Sequence, residues 1–160
     1  MIKVMFVCLG NICRSPTAHG VFEQMVKEQG LEHLIQVESS GTSGWHQGEK
    51  PDGRSSAEAA NRGYDLSYVR SQATTDADFV EMDYLLAMDA DNLVELQSRC
   101  PKEYQHKLSL FLSHAELSES EVPDPYYGGT KGFSHVLDLV EAGSRALLEH
   151  ICSQHSLGNR

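Results

Sequence analysis

The sequence predicts an α/β fold of three layers, α/β/α, around a central four-stranded parallel sheet. Two observations carry this. Short apolar runs without polar alternation recur along the chain, as strands buried on both faces require. Between them lie segments whose apolar residues repeat at three- and four-residue spacing, the period of a helix with one buried stripe. Alternation of this kind builds parallel sheets with helices on the faces. At 160 residues the chain suits a single domain, 1–160, with no internal repeat and no linker.

The first apolar run spans residues 2–8 and ends in Cys8. Leu9-Gly10-Asn11-Ile12 follows as a loop, and Ser15-Pro16 reads as an N-cap with proline at the first helical position. Ala18, Val21, Phe22, Met25 and Val26 then form one helix stripe, stopped by Gly30. Leu34 to Val37 is the second strand, followed by a polar, glycine-rich loop from Ser39 to Gly53. Ser55 to Asn61 is Ala-rich and helical, with Gly63 as its C-terminal cap. Tyr84 to Met88 is the third strand, and Asp89 caps the helix that carries Leu93, Val94 and Leu96. Leu108 to Leu112 is the fourth strand, and a long polar loop through Asp124-Pro125-Tyr126-Tyr127 leads to a closing amphipathic helix over Phe133 to Ile151. Residues 153–160 are polar and expected to fray.

Composition narrows the function classes. The net charge is −10, from 13 basic and 23 acidic residues, a field that repels phosphate backbones, so no nucleic-acid partner is expected. No apolar run approaches the roughly 20 residues that span a bilayer, so no membrane insertion is expected. The opening run lacks a small-residue cleavage site and reads as a strand rather than a signal peptide, which makes a cytoplasmic location the expectation. Cys8, Cys13, Cys100 and Cys152 show neither a disulfide framework nor zinc-ligand spacing, and are expected as reduced thiols.

The loop after the first strand carries the chemistry. Ligands in open α/β sheets bind at the carboxyl ends of strands, where Cys8-Leu9-Gly10-Asn11-Ile12-Cys13-Arg14-Ser15 sits. Five residues between Cys8 and Arg14 let a loop curl until its N–H groups face one centre, a nest for a tetrahedral dianion backed by a helix N-terminus. Gly10 is expected to permit the turn. Arg14 offers a planar fork for two phosphate oxygens. Cationic and helix-terminal surroundings favour a cysteine thiolate, so Cys8 is expected to attack phosphorus as the anion. Ser15 can donate to the departing sulfur, and Asn11 can brace the loop. Taken singly, a strand-end cysteine is ordinarily a small core residue; the spacing and the setting together reverse that reading.

Phe6-Val7-Cys8-Leu9-Gly10-Asn11-Ile12-Cys13-Arg14-Ser15-Pro16 resembles the phosphate-binding loop of the low-molecular-weight protein tyrosine phosphatases. Ser39-Ser40-Gly41-Thr42-Ser43-Gly44-Trp45, Met88-Asp89 and Asp124-Pro125-Tyr126-Tyr127 follow in that family's order, so the likeness covers nearly the whole chain. It implies hydrolysis of phosphotyrosine and aryl phosphates in two steps through a phosphocysteine, with no metal or organic cofactor. Tyrosine-phosphorylated proteins are then the partners, phosphate, sulfate or vanadate the active-site anions, and the chain a monomer or weak dimer.

The resemblance makes Asp124 the proton donor to the leaving oxygen and then the base for water; without it, Asp-Pro reads as a turn starter. It makes Ser39 a supporting residue, and Trp45, Tyr126 and Tyr127 walls for an aryl ring, although Trp45 also reads as a surface-loop anchor. Cys13 is implied as a redox partner that forms a reversible disulfide with Cys8. Relatives that prefer phosphoarginine carry threonine where this chain has Ile12, which favours phosphotyrosine here. Tyr68 stands where some relatives have histidine. His19, His33 and His46 show no partner in the sequence and are expected in solvent.

Three rivals use the same residues differently. An arsenate reductase on this scaffold needs further cysteines that relay a disulfide from Cys8, and Cys100 and Cys152 form no short pair. A sugar-transport phosphocarrier needs neither Arg14 nor Asp124. A phosphopeptide-binding module needs no nucleophile.

Overall fold

The computed structural model describes residues 1–125 and 130–157. β1 (Ile2–Cys8), β2 (Ile35–Gly41), β3 (Tyr84–Ala87) and β4 (Leu108–Leu110) form one sheet in the order β2-β1-β3-β4, with every neighbouring pair parallel. The helices are α1 (Arg14–Glu28), α2 (Gly53–Asn61), α3 (Asp76–Glu81), α4 (Ala90–Arg99) and α5 (Thr130–Gln154). Short 3₁₀ turns cover Lys102–Lys107 and Phe111–His114. The chain leaves β1 for β2 on one side and later returns to β3 on the other. The two crossovers diverge at the carboxyl end of β1, the switch point that opens a crevice in sheets of this kind. Cys8 is the last residue of that strand.

Alternation along β1 divides the core. Val4, Phe6 and Cys8 point into the cluster built with α1 and α5, where Phe22, Val26, Val136, Leu137 and Ile151 pack. Met5 and Val7 point into the other, with Phe79, Leu85, Ala87 and Leu96. Phe6 meets Phe22 and Phe111 edge-on at centroid distances of 5.5 and 5.3 Å, contacts worth about 0.5–1.5 kcal/mol each beyond burial. This pins the strand that ends in Cys8.

The four strands lie where the apolar runs predict them, with the second displaced to Ile35–Gly41 and the fourth shortened to three residues. Gly30 and Gly63 both hold positive φ, as helix stops require. One feature differs from expectation. α3 has no stripe long enough to read, yet Thr75 and Asp78 close a reciprocal capping box at its start. At the other end of the chain α5 runs to Gln154, and Leu157 donates its N–H back to Cys152 and packs on the core. Among the described residues, no helix is long and apolar enough to cross a membrane.

Candidate active site

The loop from Cys8 to Arg14 is held by its carbonyl oxygens. Those of Cys8 and Leu9 accept from the N–H groups of Thr42 and Ser43, both at 2.9 Å, and that of Ile12 from Asp52 N–H at 2.7 Å. The Gly10 carbonyl accepts from the Ser71 hydroxyl at 3.0 Å, and the Cys13 carbonyl from the Thr17 hydroxyl at 2.7 Å. None of the peptides is cis, so each plane that turns its oxygen outward turns the next N–H the opposite way. The amides of Leu9, Gly10, Asn11, Cys13 and Arg14 therefore face the hollow of the loop. Asn11 N–H donates to Cys8 Sγ at 3.3 Å. This is an anion nest with a sulfur at its base.

The turn itself rests on Asn11, not on Gly10: Asn11 is the residue with φ of 57°, a conformation in which asparagine is enriched among non-glycine residues. Its side chain stabilises that strain from both ends. Nδ2 donates to Ser15 Oγ at 2.7 Å, and Oδ1 accepts from Gln72 N–H at 3.0 Å. Gly10 has no positive φ; a Cβ there would sit 3.0 Å from His46 Cδ2, a side-chain atom of the cavity wall.

Ser15 is not the cap of α1. The helix starts one residue earlier, with Cys13 at the cap and no side-chain cap bond, and Pro16 falls in the first turn, where a missing N–H costs nothing. The hydroxyl of Ser15 is committed elsewhere, 3.0 Å from Cys8 Sγ and 3.3 Å from the Ser40 carbonyl. A hydroxyl has one proton, and Ser15 Oγ already accepts from Asn11. Toward a thiolate that proton points at sulfur; toward a thiol it turns to Ser40 and Oγ accepts. The site thus has a donor in place for a sulfur anion.

Arg14 has only 4% of its side chain exposed, so its charge requires partners. Nη1 pairs with Asp89 Oδ2 at 2.6 Å and donates to the Val122 carbonyl at 3.1 Å; Nη2 lies 3.8 Å from Asp124 Oδ2. Burial pulls the guanidinium's pKa down, but Cys8, Asp89 and Asp124 outweigh it and leave it raised. Asp89 does two jobs, since its other oxygen caps α4 through Asn92 N–H at 2.8 Å. Val122 donates to the Met88 carbonyl at 2.8 Å. Anchored at both its N–H and its carbonyl, Val122 delivers Asp124, two residues on, to the rim.

A cavity of about 200 Å³ joins these groups, lined by Cys8, Leu9, Gly10, Ile12, Cys13, Arg14, Trp45, His46 and Asp124. Asn11, Ser15 and Ser39 do not line it; all three are buried behind it. Trp45 is 79% exposed, standing at the mouth. Tyr126 and Tyr127 lie outside the described residues. Burial, opposed by a Ser55 hydrogen bond and reinforced by Asp52, Cys8 and Asp124, pushes the Cys13 thiol up to about 12. All four cysteines are free thiols.

Two histidines depart from expectation. His46 is not simply solvated: its Nδ1 is 2.5 Å from Glu49 Oε2 and its ring forms part of the cavity wall. His19 is 9% exposed, with Nδ1 2.9 Å from Ser39 Oγ and its ring edge-on to Tyr68 at 5.7 Å. Gly41, quoted above only as part of a longer motif, packs directly against the loop. A Cβ there would meet Leu9 O at 2.8 Å, Gly10 C at 3.0 Å and Asn11 N at 3.1 Å, all backbone atoms that no rotamer change can move. Gly41→Ala should therefore cost about 1–3 kcal/mol in urea unfolding and lower kcat, because relief must come from the nest itself. A variant with wild-type stability and turnover would contradict this packing.

Among known proteins, the model of the low molecular weight phosphotyrosine protein phosphatase family matches residues 3–157. The chain is 42% identical over 156 residues to a low molecular weight protein-tyrosine-phosphatase of Streptomyces coelicolor, covering 95% of this chain and 94% of that one. It is 38% identical over 149 residues to the low molecular weight phosphotyrosine protein phosphatase of Homo sapiens, covering 92% and 94%. A crystal structure of a protein tyrosine phosphatase from Entamoeba histolytica, with Hepes in its active site, superposes with a TM-score of 0.93 at 37% identity, covering 98% of this chain and all of that one. A match from residue 3 to residue 157 leaves no segment of the fold outside it: the chain belongs to the low molecular weight phosphotyrosine protein phosphatase family.

Proposed function

We propose that this chain hydrolyses phosphotyrosine in phosphorylated proteins by passing the phosphoryl group through Cys8. The observation that carries the reading is a single cavity in which Cys8 Sγ accepts from Asn11 N–H and lies 3.0 Å from the Ser15 hydroxyl, with Arg14 and Asp124 in the same wall. Donors fixed before reaction, where charge will develop, supply the largest share of such catalysis. The phosphate dianion seats in the nest with Arg14 on two equatorial oxygens. The Cys8 thiolate attacks phosphorus, the bond to the aryl oxygen breaks, and Asp124 gives that oxygen its proton. Asp124, now a carboxylate, takes a proton from water as the water attacks the phosphocysteine. The S–P bond breaks, phosphate leaves, and the Ser15 O–H stabilises the returning thiolate. Cys13, a protonated thiol in the same loop, is the partner we assign to Cys8 under oxidation.

The cavity favours an aryl ester. Its non-polar wall comes from Leu9, Ile12 and Trp45, a surface against which an aryl ring can pack. The arsenate-reductase reading lacks a relay: Cys100 packs in the core on one face of the sheet and Cys152 against the core on the other. Matched peptides carrying phosphotyrosine, phosphoserine or phosphoarginine test the assignment. Hydrolysis of the phosphotyrosine peptide should exceed the other two by about tenfold or more in kcat/KM; equal or inverted rates would overturn the substrate class.

A further inference from the structure

Behind the nest lies a titratable group that the reaction sequence above does not use. His19, on α1, reaches the end of β2 at Ser39. The Ser39 carbonyl accepts from Gln72 Nε2 at 2.9 Å, and the Gln72 N–H fixes Asn11 Oδ1. Asn11 in turn orients Ser15 toward Cys8. Each contact is buried or half-buried, so each is short of alternative partners in water. We propose that His19 is a positioning residue for the Cys8 chemistry: neutral, it holds the brace behind the nucleophile, and on gaining a proton it slackens that brace. The inference rests on the reading of Cys8 as the nucleophile.

The charges around His19 give the switch its direction. Glu23 faces it from its own helix, Glu38 from β2, and Tyr68 from the segment after α2. Tyr68 donates to Glu23, and burial together with that carboxylate pushes the phenol's pKa up, so Tyr68 stays neutral. Burial holds the His19 ring below its ordinary 6.5, with Glu23 and Glu38 pulling the other way. A proton on His19 therefore places a buried cation between two carboxylates. Their attraction competes with the Ser39 contact, and because a protonated Nδ1 can only donate, the Ser39 hydroxyl must accept from it and turn its own proton elsewhere.

The test compares kcat for p-nitrophenyl phosphate in wild type and His19→Asn from about pH 5 to about pH 8, the interval in which histidine switches. Asparagine presents an amide near the Nδ1 position and does not titrate. Ionisation of the substrate is common to both enzymes and cancels in their ratio. The ratio of His19→Asn to wild type should rise by about threefold to tenfold toward the acid end, the range one hydrogen bond carries, while the KM ratio stays level. Alkylation of Cys8 by iodoacetamide should show the same pH-dependent ratio without any substrate. A ratio flat in both assays overturns the inference. Should His19→Asn not fold, the ¹⁵N titration of the wild-type ring must coincide with an acid fall in kcat, and a separate midpoint overturns it. A Cys8→Ser enzyme that still turns over would sink the nucleophile reading itself, an outcome distinct from a flat ratio in a Cys8-dependent enzyme.

Discussion

Asp124→Ala should lower kcat by about 10²- to 10⁴-fold, the contribution of a positioned general acid, and leave KM for the same ester little changed. The carboxyl sits at the rim, 3.8 Å from Arg14 Nη2 and 43% exposed, where the proposed reaction puts the leaving oxygen. Its loss leaves Arg14 paired with Asp89 at 2.6 Å, so the anion clamp survives. The size of the defect should depend on the ester. Phenyl phosphate, whose phenolate leaves poorly without a proton, should suffer more than p-nitrophenyl phosphate, whose leaving group hardly needs one. Steady-state kinetics on the pair checks this. Equal losses on both esters, or a defect confined to KM, would mean that Asp124 helps bind the anion instead of donating to the leaving oxygen.

Cys8→Ser should abolish turnover, by roughly 10⁴-fold or more, the scale on which removing a nucleophile acts, without abolishing anion binding. The nest is held by carbonyl bonds with Thr42, Ser43, Ser71 and Asp52 and by Gln72 N–H on Asn11 Oδ1, none of which involves sulfur. Inorganic phosphate should bind the variant as tightly as wild type, or more tightly, since an anionic sulfur no longer faces the dianion. Calorimetric titration with phosphate reads this directly. A variant that retains hydrolysis, or loses phosphate affinity together with it, would contradict the division between a sulfur that reacts and amides that hold.

The parts of the site legible in the sequence are those a short contiguous segment specifies. Cys8, Asn11, Arg14 and Ser15 lie within eight residues, on a single strand-to-helix turn. Asp124 became readable only through resemblance, because a proline-flanked aspartate is a turn signal in any chain. The remainder depends on sheet order. Gly41 abuts the nest because β2 pairs with β1 in a register that sets Gly41 opposite Cys8. Asp89 reaches Arg14 because β3 lies on the other side of β1. His19 and Ser39 meet because α1 packs over β2, and no periodicity marks a histidine as buried when its partner is 20 residues away. Ser15 shows how a local rule yields to chemistry: a serine before proline favours a helix cap, and here its hydroxyl is held by Asn11 and the sulfur instead.

The most direct measurement is to catch the covalent species. Asp124→Ala mixed with p-nitrophenyl phosphate, whose leaving group needs little protonation, should form phosphocysteine faster than water removes it. Rapid acid quenching and peptide mapping should then find one phosphoryl group per chain on the peptide that contains Cys8. A burst of p-nitrophenolate with the phosphoryl group on another side chain, or with no enzyme-bound phosphate at any time, would contradict transfer through that sulfur.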